Sequence, residues 1–198
     1  TQDIAYSIQK WNPDIICMQE YNTNDRPNDI ANHATYFNKN YPYNYFSKDI
    51  QIAEKSYFLG CIIFSKYPII KAQRIAYTNQ ESLIYVDLLR GDDTIRVFTT
   101  HLASYRFKQN DFIALEKTAE ANSIDINGKK GVLRKMRTTF VERAVQAQIV
   151  KKYLDESPYP SIITGDFNDV PSSYTYKTIR GDWSDSFLEK GFGIGASY

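Results

Sequence analysis

Three apolar runs in this 198-residue chain end in side chains that can do chemistry. Ile15-Ile16-Cys17-Met18 leads into Gln19-Glu20, Val97-Phe98-Thr99-Thr100 into His101, and Ile162-Ile163-Thr164 into Gly165-Asp166-Phe167-Asn168. A carboxylate at the end of a strand is readily solvated, so each group alone says little. Together they say more, because strand ends in an open sheet can converge on one crevice. Glu20 and Asp166 bring acid oxygens and Asn168 brings an amide, the ligand chemistry that hard cations such as Mg²⁺ prefer. Such an ion takes one or two carboxylates and fills its other positions with water and substrate phosphate. His101 beside it could donate a hydrogen bond to a phosphoryl oxygen. The set suits metal-assisted hydrolysis of a phosphate ester, with the ion stabilising charge and a carboxylate base making a water nucleophilic. Asp185 and Asp169 read instead as a helix cap and a turn stabiliser, and His33 is expected mid-helix, away from this set.

The pattern of the chain shows how those residues are positioned. A short helix over 3–11 is stopped by Asn12-Pro13, since proline disfavours helical geometry in the residue before it. Residues 14–20 and 59–65 are continuous apolar runs, which read as strands buried on both faces. A second helix is expected over 28–40 with Asn28 as its cap, followed by a tyrosine-rich segment, 41–46. Residues 69–76 form another strand after the turn at Tyr67-Pro68. The runs 83–90 and 94–101 flank Gly91-Asp92-Asp93 and predict an antiparallel hairpin. Residues 102–131 lose periodicity and read as an insertion or loop. Leu133, Met136, Phe140, Ala144, Ala147, Val150 and Leu154 then form an apolar stripe at helical spacing. After a strand at 161–164, short helices are expected over 173–180 and near 185–190. Strands with mixed connections and intervening helices argue for α/β or α+β layering.

At these residues the chain resembles the endonuclease/exonuclease/phosphatase superfamily, which includes DNase I-like nucleases, abasic-site endonucleases, neutral sphingomyelinases and inositol-polyphosphate phosphatases. The stretches that carry the resemblance are NPDIICMQE at 12–20, GCIIFSKYPI at 60–69, RVFTTHLAS at 96–104 and ITGDFNDVP at 163–171. Their order supports the family more than any one motif does. The resemblance implies a four-layer sandwich of two mixed β-sheets flanked by helices. It also implies a site using Mg²⁺ or Mn²⁺, with Glu20 as metal ligand and Asp166 orienting or deprotonating the attacking water. Asn168 would hold the phosphate and the aspartate, and His101 would contact the scissile phosphate. Gly165 is expected to let the backbone turn tightly before Asp166. The family's first strand, with its metal-ligating Asn, and its final Ser-Asp-His motif have no counterpart in 1–198. The expectation is therefore a single domain over 1–198, incomplete at both ends.

Composition bounds the rest. Lys plus Arg number 24 against 23 Asp plus Glu, so no global positive field favours a non-specific nucleic-acid binder. Locally, residues 106–143 carry nine Lys/Arg against five acids, a rim that could face phosphates or simply a solvated helix. The 15% aromatic content reads mainly as sheet core, and Cys17 and Cys61 as small buried thiols. No run reaches the roughly 18 apolar residues of a membrane span, so the chain should be soluble as given. It starts without Met, so a targeting segment could have been removed, and the compartment stays unassigned. The expected substrate is a phosphate ester in nucleic acid or a phospholipid head group, ahead of an inositol phosphate, with no obligate protein partner. The alternative is a catalytically incomplete domain that binds a phosphate-bearing ligand or protein.

Overall fold

The computed structural model describes residues 2–24, 26, 29, 32–52, 57–78, 80–109, 111–113 and 126–192, with backbone alone for 126–129. The chain divides into two compact units, residues 1–103 with 156–168 and residues 104–155 with 169–198. In the first, helix α1 (Gln2–Lys10) ends where Asn12 takes a positive φ of 47° before Pro13. The described part of 28–40 holds only a 3-10 turn, His33–Tyr36, and Asn28 lies outside the described residues. Asn38 and Asn40 follow that turn, and asparagine hydrogen-bonds readily to nearby backbone outside a helix.

The first sheet contains β1 (Ile15–Asn24), β2 (Tyr43–Phe46), β3 (Ile50–Ile52) and β4 (Tyr57–Ser65). β4 is its hub, pairing antiparallel with the other three strands. The second sheet runs β5 (Ile69–Ala76), β6 (Ser82–Arg90), β7 (Asp93–His101), β8 (Ser161–Asp166). β5, β6 and β7 are antiparallel, and β7 pairs with β8 in parallel. The expected β6–β7 hairpin is present, closed between Arg90 and Asp93 with Gly91 at φ 64°.

The unbroken apolar run in β4 follows from burial on both faces. Side chains alternate along a strand, so Cys61 and Ile63 point one way and Ile62 and Phe64 the other. Cys61 and Ile63 pack with Ile84, Val86, Leu88 and Val97 of the second sheet. Ile62 and Phe64 pack with Ile16, with Ala5 of α1 and with Phe37 and Tyr41. The unit is thus layered as helix, sheet and sheet, the α/β sandwich architecture expected. Much of the aromatic excess sits here: Phe37 stacks on Phe64 at 4.7 Å, and Tyr21 meets Phe46 and Phe64 edge-on. Each such side chain taken fully out of water contributes about 1.5–3 kcal/mol. Burial raises both thiols above their ordinary range; Cys61 is fully buried and Cys17 only partly.

Several buried polar groups of this unit are paired across strands. Asp49 accepts from Arg74 Nε (2.8 Å) and Ser82 Oγ (2.6 Å) of the second sheet and from Ser47 Oγ (2.6 Å), tying the two sheets together. Arg96 and Asp87, directly opposite across β6 and β7, form two hydrogen bonds of 2.6 and 2.8 Å beneath the Tyr85 ring.

Gly165 is extended rather than turned, contrary to the tight-turn expectation. Its role is close approach: a Cβ there would lie 2.5 Å from the Thr100 carbonyl oxygen of β7. The positive φ falls at Asn168 instead, at 50°.

The second unit is built on helix α2 (Ile126–Asp155), which starts well before the expected 133 and runs through Gly128 and Gly131. Two interior glycines cost about 1 kcal/mol each, which the packing of a 30-residue helix outweighs. Its buried face is also rotated in its first half. Val132, Thr139 and Arg143 are buried where Leu133 and Phe140 are exposed, and from Ala147 onward Val150 and Leu154 are buried as expected. Arg143 is wholly buried, with Nε 3.4 Å from Asp169 Oδ2, Nη2 donating to Tyr105 Oη at 2.8 Å, and its guanidinium over the Tyr105 and Phe140 rings. Asp169 is therefore half of a buried ion pair, not merely a turn stabiliser. Helix α3 (Tyr174–Arg180) is capped by Ser173 Oγ, and α4 (Ser186–Lys190) by Asp185, which accepts from Phe187 N and Leu188 N. No helix of the described residues is long and apolar enough to cross a membrane.

Two substitutions test this packing by chemical denaturation. Gly165→Ala is expected to cost roughly 2 kcal/mol, because the added methyl meets backbone rather than a movable side chain. Thr100→Ser should not rescue it; unchanged stability of Gly165→Ala would refute the close approach. Arg143→Met is expected to cost about 3 kcal/mol by leaving the Asp169 carboxylate buried and unpaired. Adding Asp169→Leu should recover part of that loss, whereas strictly additive effects would show that the two residues do not interact.

Candidate active site

β7 and β8 run in parallel with His101 opposite Asp166, so the register alone brings the imidazole and the carboxylate to one sheet end. Glu20 arrives from the other sheet. The β1–β4 register shifts between Met18 and Tyr21, a bulge that leaves Gln19 and Glu20 unpaired and puts Glu20 at a φ of 51°. Such bulges re-aim side chains. Gln19 Nε2 donates to Thr99 Oγ1 of β7 at 2.7 Å, pinning the bulge to the second sheet beside His101.

The four residues singled out by the sequence meet here. His101 Nε2 lies 4.0 Å from Glu20 Oε1, 4.0 Å from Asp166 Oδ2 and 3.1 Å from Asn168 Nδ2. The Glu20 side chain is 74% exposed and that of Asp166 47%, against 15% for His101, so two solvated carboxylates flank a mostly buried imidazole. Asp166 Oδ1 accepts from Asn168 N at 2.9 Å, an Asx-type turn that turns Oδ2 towards His101.

Asn168 orders the imidazole. Its Nδ2 donates to the Leu102 carbonyl at 2.9 Å, and because a carbonyl oxygen only accepts, this bond fixes which way the amide faces. The other amide hydrogen then points at His101 Nε2, so in this arrangement Nε2 accepts and the ring proton is on Nδ1. Glu20 and Asn168 both hold left-handed backbone, which costs a side-chain-bearing residue on the order of 1 kcal/mol or more. Strain of that kind concentrates at functional sites, and two of the six positive-φ non-glycine positions among the described residues fall on this cluster.

The donor set fits a hard divalent cation in one respect: two exposed carboxylates lie within 4.0 Å of the same imidazole nitrogen and offer only oxygen. Among the described residues no group of three or more His, Cys, Asp or Glu could hold a metal ion. A Mg²⁺-type site needs no more than one or two carboxylates, with water making up the shell.

Sequence reasoning missed two participants. Gln19 was visible as a polar strand end, but its bond to Thr99 depends on how the sheets face each other. The Leu102 carbonyl carries no sequence signal.

A family model for the endonuclease/exonuclease/phosphatase family matches residues 1–195. Among solved structures, the chain is similar to sphingomyelinase C from Streptomyces griseocarneus (TM-score 0.56, 18% identity, 92% of this chain and 62% of that one). It is similar to a truncated TDP2 from Caenorhabditis elegans (TM-score 0.54, 19% identity, 85% and 55%). It is also similar to the human Nocturnin catalytic domain with a bound sulfate anion (TM-score 0.57, 17% identity, 92% and 62%). The chain thus spans a little over half the length of these structures. No curated protein matches. With a family model covering almost the whole chain and the sandwich architecture shared with these structures, the chain belongs to the endonuclease/exonuclease/phosphatase family.

Proposed function

We propose that the chain carries the site of a divalent-metal-dependent phosphodiester hydrolase, centred on Glu20, His101, Asp166 and Asn168. The observation that supports this most directly is the convergence of two carboxylates and an amide around His101 Nε2, from strand ends far apart in sequence. The family assignment points the same way, and so do neighbours whose names include a sphingomyelinase and a Nocturnin domain holding sulfate, a tetrahedral anion like phosphate.

In this reading Glu20 would hold a Mg²⁺ or Mn²⁺ ion, which when bound would neutralise charge on the phosphoryl oxygens. Asp166 orients the attacking water and takes its proton. The water oxygen forms the new bond to phosphorus, the ester P–O bond breaks with its electron pair leaving on oxygen, and solvent protonates that oxygen. Asn168 keeps Asp166 and His101 in register and presents its amide to the phosphate. His101, taking a proton from solvent at Nε2, gives up the Asn168 bond and donates to a phosphoryl oxygen. The phosphodiester belongs to a nucleic acid or a phospholipid head group ahead of a soluble inositol phosphate.

The test is hydrolysis of bis-p-nitrophenyl phosphate, single-stranded DNA and sphingomyelin with Mg²⁺ or Mn²⁺. Turnover is expected to stop with EDTA, and Glu20→Gln and Asp166→Asn should each lower kcat/KM by roughly 100-fold or more with the fold unchanged. Variants as active as the wild-type chain would show that the cluster is not the reaction centre. Turnover that persists in EDTA would remove the metal from the account.

A further inference from the structure

The second unit contains a cavity of about 380 Å³ that none of the proposed chemistry uses. Its walls carry Arg106 and Lys108 from the segment after β7, and Arg134, Lys135, Thr138 and Glu142 from α2. Four cations against one lining carboxylate, Glu142, is a local positive excess in a chain whose formal net charge is +1.

Local structure explains why the cations point into it. Along Ser104-Tyr105-Arg106-Phe107-Lys108 the side chains alternate. Tyr105 stacks on Phe107 (5.1 Å, interplanar angle 8°), meets Phe140 edge-on at 5.6 Å and accepts from buried Arg143. The aromatic pair so anchors the segment, leaving Arg106 and Lys108 exposed, with Arg106 held at a φ of 49°. On α2, Arg134 and Thr138 lie one turn apart, as do Thr138 and Glu142, so they share a face. Lys135 is occupied: its ammonium pairs with Asp111 at 2.6 Å, which holds the Asp111 carboxyl below its usual range. Among the described residues no ion pair or side-chain hydrogen bond engages Lys108 or Arg134. The threonine hydroxyls donate back to the Arg134 and Lys135 carbonyls, so the donors left for a ligand are the charged groups of Lys108 and Arg134.

We infer that this cavity is an anion site for a small molecule bearing clustered phosphoryl groups, of the pyrophosphate or nucleoside diphosphate class. Its volume lies in the range of small-molecule sites, and cations from two chain segments line that one hollow. Arg134 offers the planar fork that suits phosphate, and Lys108 a mobile point charge. Glu142 opposes the ligand and limits its affinity. None of this depends on Glu20, His101 or Asp166.

Calorimetric titration of the full chain with inorganic pyrophosphate, in EDTA and low salt, tests the inference. Binding is expected, weakened about tenfold by Lys108→Ala and about tenfold by Arg134→Ala, and falling steeply with added salt. Glu142→Gln should tighten it about threefold, a gain that unfolding cannot imitate. His101→Ala should leave it unchanged. Absence of binding at millimolar pyrophosphate, or insensitivity to Lys108 and Arg134, would overturn the proposal. So would loss of binding in His101→Ala, which would move the ligand to the proposed reaction centre, or tighter binding of 5′-hydroxyl single-stranded DNA that displaces pyrophosphate. Failure of the hydrolase reading shows instead as absent turnover with this titration intact.

Discussion

The parallel pairing of β7 with β8, drawn close by Gly165 against the Thr100 carbonyl, is the constraint on which the candidate site rests. That register sets His101 opposite Asp166, and the chain beyond β8 then turns to put Asn168 within reach of both the Leu102 carbonyl and the imidazole. A slip of one residue would send the two side chains to opposite faces. Parallel pairing cannot be made by a tight turn and needs a long crossover, which here is the whole of 102–160 including α2. The longest helix of the described chain is in this sense the connection that permits the site.

The sheets supply the rigidity that the site draws on. β4 is buried on both faces, and Asp49 and the Arg96–Asp87 pair hold buried charges in hydrogen-bonded ion pairs. Against that background the chain holds Glu20 and Asn168 in left-handed backbone, each of which local preference alone would relax. Tertiary packing over-determines them, as it must if exposed carboxylates are to stay aimed at one imidazole.

Much of this was legible in the sequence, for a physical reason. Continuous apolar runs mark the strands at 14–20, 59–65 and 161–164, and the polar residues that end them include Glu20, Asp166 and Asn168; burial on both faces explains the run of 59–65, whereas β8 alternates half-buried and exposed residues and leaves Ile162 exposed. What failed depended on contacts between distant segments. The glycines at 128 and 131 signalled a loop, yet α2 runs through them because packing outweighs propensity. The helical stripe was drawn through Leu133 and Phe140, whereas the chain buries Thr139 and Arg143 and gives the arginine a carboxylate at Asp169. A buried charge is invisible to hydrophobic periodicity, since its burial depends on a partner from elsewhere in the chain. Gly165 was read as a turn residue, and only the neighbouring strand shows that it is there to leave room for a carbonyl oxygen.

The central claim is that Glu20 and its neighbours form one cation-binding reaction centre. Water-proton relaxation during a Mn²⁺ titration reads that directly, without any substrate. The account predicts a single ion bound with water still in its shell, and an affinity at least about tenfold weaker in Glu20→Gln. Equal Mn²⁺ affinity in Glu20→Gln and the wild-type chain would contradict it.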